Sequence, residues 1–435
     1  MTEQGCRSRV HGLLCDPAGR VLLLETERGA ALPRVDLDGY PDNDLESARR
    51  ALAELLGATV AILRYVVRDT DRERKLVDVV YELEFLDRDW KLPANVTWGE
   101  ADTVPDEHRE IVEHHLRERR AGVPALRAPW ARQGWLAQAT EWIESSLSTQ
   151  GRAPTGPVEQ RRCWTLSAVL RIPTAEGAVY FKATADSPLF VVEGSVMSGL
   201  ARHHPRNVPE PLAVDASRRW MLLDDVGPAV GWSAPVEERE AALQTFARLQ
   251  VSSADHLDDL LAMGCIDRRP EWLAGETREL LADDGALAGL EEEEISALRA
   301  LEPRLVELIR RLADGPVPST VVHGDLHLDN VARRDGEFVF FDWTDACVAH
   351  PFLDLIDVAF EEDSAVRDRL RDAYLMVWAD HGSQEQLLEL WTIAVPLASL
   401  NQAVSYRHIL ANVEPGSAQE FEWALPFWLR KVLPA

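Results

Sequence analysis

The 435-residue sequence is short of positive charge. It contains 46 lysine and arginine residues against 73 aspartate and glutamate residues, so its formal net charge is −27. A surface of that sign repels nucleic acid and anionic lipid, which argues against a protein that wraps DNA or lies on a membrane. We therefore expect no nucleic-acid partner and no membrane partner.

Cysteine is also scarce, and long apolar runs are missing. The five cysteines lie far apart and form no Cys-x-x-Cys pair. Their spacing excludes a disulfide scaffold or a thiolate zinc site and is typical of a reducing compartment. No run approaches the ~18 apolar residues of a membrane helix, and no early stretch resembles a signal peptide. We expect a soluble, cytoplasmic protein.

Lysine is the rarest of the charged residues. Only Lys75, Lys91, Lys182 and Lys431 are present, and arginine supplies every other positive side chain. Codon bias explains the composition as a whole. The place of each lysine in the fold is nevertheless informative.

The first segment of the chain is predicted to be a small α/β unit. Residues 21–24 follow an Asp-Pro-Ala-Gly turn, and residues 79–85 alternate like a half-buried strand. Between them, residues 45–56 place their leucines on one helical face, and Gly57 ends the helix.

The end of that helix carries a recognisable but incomplete motif. Residues 50–57 read RALAELLG, and residues 1–125 resemble a Nudix hydrolase domain, whose Mg²⁺-binding helix reads Arg-Glu-apolar-x-Glu-Glu-x-Gly. Ala51 and Leu55 stand where two carboxylates are needed. Glu54 alone does not make the oxygen shell that Mg²⁺ prefers. The resemblance implies a Nudix-like fold that is hydrolytically inactive.

Glycine and proline concentrate at 148–158, and we take this segment as the main domain boundary. The residues that lead up to it, 126–157, are predicted to form a helical connector. Beyond it, apolar patterning predicts strands and then mostly helices, with a β-rich insertion. The predicted elements are strands at 165–172, 178–183 and 220–223, a helix at 189–200, the insertion at 320–341 and helices over most of the remainder from 236.

Polar residues follow the predicted strands of the insertion. Asp325 lies on a His-Gly turn, Asn330 comes five residues later, and Asp342 ends the next strand. Phosphoryl transfer needs a carboxylate that orients the attacking hydroxyl and oxygen ligands for Mg²⁺. This pattern predicts a phosphoryl-transfer site.

The segment 323–330 reads HGDLHLDN, and Asp-Trp follows at 342–343. These motifs resemble those of the aminoglycoside phosphotransferase and choline kinase group. A later segment, 350–355, also resembles the group, except that His350 stands where the group has Asp. The resemblance covers residue 158 to the end. It implies an α+β, bilobal protein-kinase-like fold with a small β-rich lobe at 158–226, and a large helical lobe at 227–435 whose catalytic loop spans 321–345.

The resemblance also implies roles for individual residues. Asp325 is the expected catalytic base, and Asn330 and Asp342 are the expected Mg²⁺ ligands. Three further residues are expected to support the loop structurally, namely His323, His327 and Asp354.

Five residues of the small lobe are implied to bind ATP or GTP. Lys182 would meet the phosphates, and Glu193 would hold that lysine. A solvent-facing strand lysine and an exposed glutamate at a helix start are the alternatives. Ser167 either donates to a phosphate or is an ordinary strand serine, and the backbone of Leu223 and Asp225 would contact adenine.

The acceptor pocket is expected among the C-terminal helices. Acidic side chains suit a cationic acceptor, and aromatic rings bind ammonium groups or stack on sugars. The candidates are Glu361, Glu362, Trp391, Gln402 and Tyr406. We expect an ATP- or GTP-dependent small-molecule O-kinase acting on an aminoglycoside, amino sugar, amino alcohol or similar metabolite. The alternatives are a non-catalytic nucleotide-binding regulatory module and a bifunctional protein that retains Nudix hydrolase activity.

Overall fold

The computed structural model describes residues 6–433, apart from 28, 42, 43 and 88. The chain separates into two compact units, Met1–Ala185 and Asp186–Ala435. Both units combine helices and strands, which confirms the predicted α+β class. The predicted small lobe, 158–226, is divided between the two units.

The first unit contains three groups of paired strands. One sheet has the order β4-β1-β6-β5, β2 pairs with β3 and β7, and β9 pairs with β8 and β10. Its elements are β1 (Arg7–Leu13), β2 (Val21–Thr26), β3 (Gly29–Ala31), β4 (Arg34–Asp38), α1 (Leu45–Leu56), β5 (Val60–Asp71), β6 (Leu76–Phe85), β7 (Val96–Gly99), α2 (Asp106–Ala121), α3 (Trp135–Thr149), β8 (Glu159–Cys163), β9 (Ser167–Thr174) and β10 (Gly177–Thr184).

Helix α1 has the predicted bounds. The Asp44 carboxylate accepts a hydrogen bond from the Ser47 amide at its start, and Leu52 and Leu56 are fully buried. Gly57 ends the helix in the left-handed conformation with φ 60°, which a residue without Cβ adopts at little cost. The predicted strands at 21–24 and 79–85 are also confirmed, within β2 and β6.

Strand β8 is joined to the α/β part of the first unit by buried side chains, among them Gln160. The Gln160 amide group donates to the Ile62 carbonyl at 2.8 Å and accepts from the Ile62 amide at 2.8 Å. The Gln160 backbone amide donates to Glu46 on α1 at 2.9 Å. The carboxylate of Glu46 is also paired with Arg49 at 2.6 Å. Glu46 therefore has a structural role in this unit.

The second unit is mainly helical. Its strands form the hairpins β11-β12 and β15-β16, and β17 lies between β13 and β14. Its elements are α4 (Glu193–His203), β11 (Ala213–Asp215), β12 (Trp220–Asp224), α5 (Val236–Ser253), α6 (Leu257–Ala262), β13 (Ile266–Asp267), α7 (Pro270–Ala282), α8 (Asp284–Leu287), α9 (Glu292–Ala313), β14 (Thr320–Val322), β15 (Val331–Arg334), β16 (Glu337–Phe340), β17 (Cys347–Ala349), α10 (Ile356–Ala359), α11 (Ser364–Met376), α12 (Gln384–Ala411), α13 (Pro415–Ala418) and α14 (Ala424–Val432).

The core of the second unit surrounds the central helix α12 and the short strands β14 and β17. By length and composition α12 could cross a membrane, but 67% of its most apolar window is buried inside the protein, as in the core helix of a soluble protein. Helix α4 begins at Glu193, later than the predicted start at 189, and the β-rich insertion at 320–341 is confirmed as β14, β15 and β16.

Candidate functional site

The turn after β14 is fixed by one buried carboxylate. The backbone amides of His323 and Gly324 donate to the two oxygens of Asp354 at 2.8 and 2.9 Å. Gly324 has φ +85°, and a Cβ there would lie 2.4 Å from the Asp345 carbonyl oxygen. Only glycine fits this position, so the turn presents the following residue, Asp325, in one defined place.

Asp354 is itself held by a buried network that the sequence analysis missed. Gln250 on α5 donates to the Asp354 carboxylate at 2.9 Å and is hydrogen-bonded in turn to the Tyr374 hydroxyl. Burial raises the pKa of Asp354 to about 7, against the effect of its two backbone donors. Gln250 is a fully buried polar residue on the helical face that also carries Phe246 and Leu249, and its place among these apolar residues was the available signal.

His323 lies in the interior, between the loop after β14 and the segment after β16. Its side chain is fully buried, its Nε2 lies 3.0 Å from the Phe341 carbonyl oxygen, and its ring packs 4.6 Å from the Trp343 ring, centroid to centroid. Burial lowers the pKa of His323, so the ring is neutral at neutral pH. It links the loop after β14 to the segment after β16.

Asp325 points outward from this fixed turn. Its side chain is 57% exposed, and Asn330 donates through Nδ2 to the Asp325 backbone carbonyl at 3.0 Å. His327 Nε2 lies 3.5 Å from Asp325 Oδ2. Burial alone would lower the pKa of His327, but the hydrogen bond and charge of Asp325, with the charges of Asp357 and Asp329, outweigh it and raise that pKa.

Asp342 occupies a strained position beside an anchored turn. It has φ +66°, a conformation that a residue with a Cβ adopts only when the surroundings impose it. Glu193, 3% exposed at the start of α4, accepts from the Trp343 amide at 3.0 Å and from the Thr344 hydroxyl at 2.9 Å. Glu193 therefore fixes the segment that carries Asp342, a role the sequence analysis did not foresee.

Asn330 and Asp342 have the chemistry of a magnesium site. The Asn330 side chain uses its NH₂ group on the Asp325 carbonyl, which directs the amide oxygen elsewhere. Asp342 Oδ1 lies 3.2 Å from the Thr344 hydroxyl. Both side chains offer oxygen, the donor that Mg²⁺ prefers, and each is held by neighbours. These two residues fit the expected ion.

Two predicted acceptor residues lie by the same loop. Gln402 on α12 donates to the Gly324 carbonyl at 2.9 Å. Burial, followed by the charges of Asp325 and Asp345, raises the pKa of the Tyr406 phenol to about 12. The ring of Trp423, which is 60% exposed, lies 6.5 Å from the Tyr406 ring and was missed by the sequence analysis.

The other predicted acceptor residues have different surroundings. Trp391 is buried in the core eleven residues before Gln402 on the same helix, about 16 Å along its axis. Glu361 is engaged by Arg239 at 2.5 Å, and Glu362 is an exposed neighbour of that pair.

The predicted nucleotide-binding residues are placed as follows. Lys182 on β10 is half-buried opposite Val169 of β9. The Ser167 hydroxyl accepts a hydrogen bond from the Trp164 indole at 2.7 Å. Leu223 is buried near the end of β12, and Asp225 accepts from the Gly227 amide at 2.9 Å. Their roles in binding nucleotide stay predictions.

A pocket opens on the apolar side of the loop, between Trp232, Leu326, Leu328 and Val358. Trp232 is 55% exposed, and its ring stacks on the His327 ring at 5.8 Å. Asp357 also lines the pocket, and burial raises the pKa of its carboxyl to about 6. The sequence analysis did not name Trp232, and the available signal was its place in the Gly-Trp-Ser loop just before α5.

His350, which stands in the place of the group's usual Asp, caps the short helical turn Pro351–Leu355. Its Nδ1 accepts from the Phe352 amide at 3.3 Å, and burial lowers the pKa of the ring to about 3. A neutral imidazole acceptor thus replaces the acceptor that a carboxylate would supply at this position, and the turn still delivers Asp354 to the loop.

Residues 158–388, more than half of the chain, match the model of the phosphotransferase enzyme family. The chain belongs to this family. It is therefore a small-molecule phosphotransferase that acts on hydroxyl groups, and its C-terminal part has the expected kinase-like fold. The match begins after the N-terminal 157 residues, so it does not extend to the predicted Nudix-like domain.

Several solved structures resemble this phosphotransferase at low identity. The macrolide 2′-phosphotransferase MphH of Brachybacterium faecium is 20% identical over 66% of this chain and 98% of that one, with a TM-score of 0.47. The ethanolamine kinase of Plasmodium vivax is 12% identical over 75% and 94%, with a TM-score of 0.49. A choline/ethanolamine kinase family protein of Mesorhizobium loti is 16% identical over 67% and 98%, with a TM-score of 0.43. No curated protein matches the chain.

Proposed function

We propose that this phosphotransferase moves the γ-phosphoryl group of ATP or GTP to a hydroxyl of a small acceptor that carries an amine. The observation that carries the proposal is the state of Asp325. Its carboxylate is exposed, while the turn beneath it is fixed by Asp354 and by the constraint at Gly324. A rigid loop that presents an accessible carboxylate is what a hydroxyl nucleophile requires.

In the proposed reaction Asp325 accepts a hydrogen bond from the acceptor hydroxyl and takes its proton as the oxygen attacks the γ-phosphorus. The bond from that phosphorus to the β,γ-bridging oxygen breaks, and the nucleoside diphosphate leaves. Gln402 positions this loop from the acceptor side through the Gly324 carbonyl. His327, whose pKa is raised by Asp325, lies ready to share a proton with that carboxylate.

Asn330 and Asp342 would hold Mg²⁺, and Glu193 would keep Asp342 in place through the turn at 343–344. When bound, the ion neutralises charge that develops on the phosphates. Lys182 is proposed to contact the phosphates as well, on the strength of its place on β10 and the family's pattern.

The proposed acceptor is cationic because acidic and aromatic side chains dominate the surroundings of the loop. Asp325 and Asp345 add negative charge near Tyr406. Tyr406 and the exposed Trp423 offer ring faces to an ammonium group or a sugar. Aminoglycosides, amino sugars and amino alcohols share these two features, an ammonium and a hydroxyl.

A screen of such acceptors with ATP and with GTP, read by nucleoside diphosphate release, tests the proposal. Asp325→Asn is the decisive variant, and Asp329→Asn, an exposed aspartate on the same loop, is its matched control. We expect turnover with at least one amine-bearing alcohol that D325N abolishes and D329N retains. Equal turnover in D325N and the wild type would refute the role of Asp325, and tight nucleotide binding without transfer to any acceptor would favour a regulatory module.

We also propose that the Nudix-like segment does not hydrolyse diphosphates. On α1, Glu46 is occupied by Arg49 and the Gln160 amide, and Glu54 is the exposed carboxylate near the helix end. One accessible carboxylate is a poor cage for Mg²⁺. Diphosphate hydrolysis that persists in D325N and disappears in Glu54→Gln would contradict this.

A further inference from the structure

A cluster of two histidines and an aspartate lies in the first unit, outside the site described above. His11 is on β1, Asp78 on the adjacent parallel strand β6, and His108 in the first turn of α2. Candidate ligand atoms of all three lie within 4.8 Å of one another. His11 Nε2 and Asp78 Oδ1 are 3.2 Å apart, and the two imidazole rings are 4.5 Å apart between centroids.

Both histidines are buried and incompletely hydrogen-bonded, although Glu107 Oε1 lies 3.7 Å from Nδ1 of His108. His11 is 5% exposed and His108 is 8% exposed. In the part of the chain that the structure describes, Nδ1 of each ring is buried and accepts or donates no hydrogen bond. Buried polar atoms are almost always paired, because an unpaired one costs about 1–3 kcal/mol. An imidazole binds a metal through one nitrogen, and for His11 that is Nε2, which faces Asp78, so the unpaired Nδ1 atoms show only that both buried rings are incompletely hydrogen-bonded.

The donor set defines the class of ligand. Two imidazole nitrogens and one carboxylate oxygen suit a divalent first-row transition ion of the Zn²⁺ type, whereas Mg²⁺ and Ca²⁺ prefer oxygen alone. Two ligands about 2.0 Å from one tetrahedral ion lie roughly 3.3 Å apart, close to the spacing of His11 and Asp78. Small rotations of the rings would bring the third ligand to the same spacing.

We propose that His11, Asp78 and His108 form a binding site for a divalent transition-metal ion in the N-terminal unit. The strand pair fixes the first two ligands, since Val10 and Val79 beside them are in register. Asp78 is 37% exposed, which leaves an open coordination position toward solvent. Arg9, 3.7 Å from Asp78, is the cation that the metal would displace from that carboxylate.

The site is independent of the predicted Nudix motif and of the transferase loop. Its ligands lie on β1, β6 and α2, whereas the degenerate motif lies on α1. A second group, His203, His256 and Asp259, also has metal-like spacing, but it is partly exposed, and its two rings stack on each other at 3.9 Å. It serves as the internal control.

The test is a calorimetric titration of the metal-stripped full chain with Zn²⁺ in excess Mg²⁺, which keeps the oxygen-ligand site filled. The variants are His108→Gln and Asp78→Asn, with His114→Gln, an exposed histidine on the same helix, and His256→Gln as matched controls. We expect one Zn²⁺ per chain, at least tenfold weaker binding in H108Q and in D78N, and wild-type binding in both controls.

A second measurement covers variants that fold poorly. Zn²⁺ binding to the native state raises its melting temperature, so the wild type and H114Q should gain Tm with Zn²⁺ and D78N should gain less. Asp78 is half-exposed, so D78N keeps the fold even if H108Q does not. Absence of saturable Zn²⁺ binding, equal affinity in D78N and the wild type, or loss of binding in H256Q would each overturn the proposal.

Discussion

Each compact unit contains a histidine–aspartate pair, and the two pairs behave in opposite ways. His11 and Asp78 are 3.2 Å apart in the first unit, and His327 and Asp325 are 3.5 Å apart in the second. Burial and the neighbouring His108 and Arg34 lower the pKa of His11 to about 4. The pKa of His327 is raised instead, because the hydrogen bond and charge of Asp325, together with the charges of Asp357 and Asp329, outweigh burial.

The difference lies in what surrounds each pair. His11 is beside a second imidazole and an arginine, so a proton on its ring is repelled. His327 faces three carboxylates, Asp325, Asp329 and Asp357, which favour a proton on its ring. The first environment disfavours a proton on the ring, and the second favours one. A contact of nearly equal length is thus accompanied by a lowered histidine pKa in one unit and a raised one in the other.

The largest effect on kcat is expected from removing the carboxylate of the second pair. Asp325→Asn keeps the shape of the side chain but does not take a proton, so kcat should fall by about 10³-fold. Asp329→Asn changes the net charge of the same loop by the same amount, and its kcat should fall by less than about threefold. Steady-state kinetics on the acceptor found by the screen measure both. Equal losses in the two variants would mean that loop charge matters and a base at Asp325 does not.

The next effect concerns the support beneath Asp325. In Asp354→Asn one of the two amides of His323 and Gly324 loses its acceptor, which costs about 2 kcal/mol of unfolding free energy. We also expect a drop in kcat with little change in nucleotide affinity, since the displaced loop carries the base. Urea denaturation and kinetics test this. Gln250→Leu should act in the same direction with a smaller effect, and an unchanged midpoint in both variants would contradict the anchoring role.

Smaller kinetic effects should distinguish the roles of two residues of helix α12. Gln402→Leu removes the donor to the Gly324 carbonyl and should lower kcat/KM by about tenfold, a loss typical of one hydrogen bond at a reacting loop. Trp391→Phe, buried about three turns earlier, should leave the acceptor KM unchanged and lower the thermal midpoint. If W391F raised the acceptor KM and Q402L did not, the acceptor side of the loop would lie elsewhere on α12.

How well the sequence foretold this molecule depends on the range of the interactions involved. Helix α1 was predictable to the residue because its cap, its apolar face and its terminal glycine are all local. The predicted catalytic loop at 321–345 could be found from the sequence because the order and spacing of residues 323–330 and 342–343 are themselves the signal. The small-lobe strands were found for the same local reason, as a hairpin around a turn.

The supporting contacts were not predictable, because they join distant parts of the chain. Glu193 and Thr344 are 151 positions apart, and Gln250 and Asp354 are 104 apart. No periodicity pairs such residues. Trp391 shows the converse error, since an aromatic residue on a C-terminal helix has the same local pattern whether it faces a pocket or the core. Helical spacing shows which residues share a face of a helix, but it does not show whether that face packs in the core or lines a pocket.

The last prediction tests the cause of the contrast between the two pairs. In D325N the hydrogen bond and charge through which Asp325 raises the pKa of His327 are lost, so that pKa should fall. D329N should lower it less. Nuclear magnetic resonance titration of labelled histidines, assigned with His327→Gln, measures both shifts. Because the folded-state pKa lies above the unfolded value, the pair stabilises the protein below about pH 6.5, and this contribution disappears as pH rises through the folded-state pKa. D325N should therefore flatten the stability profile in that window, and an unchanged His327 titration would show that burial and the other acids, not Asp325, set its proton affinity.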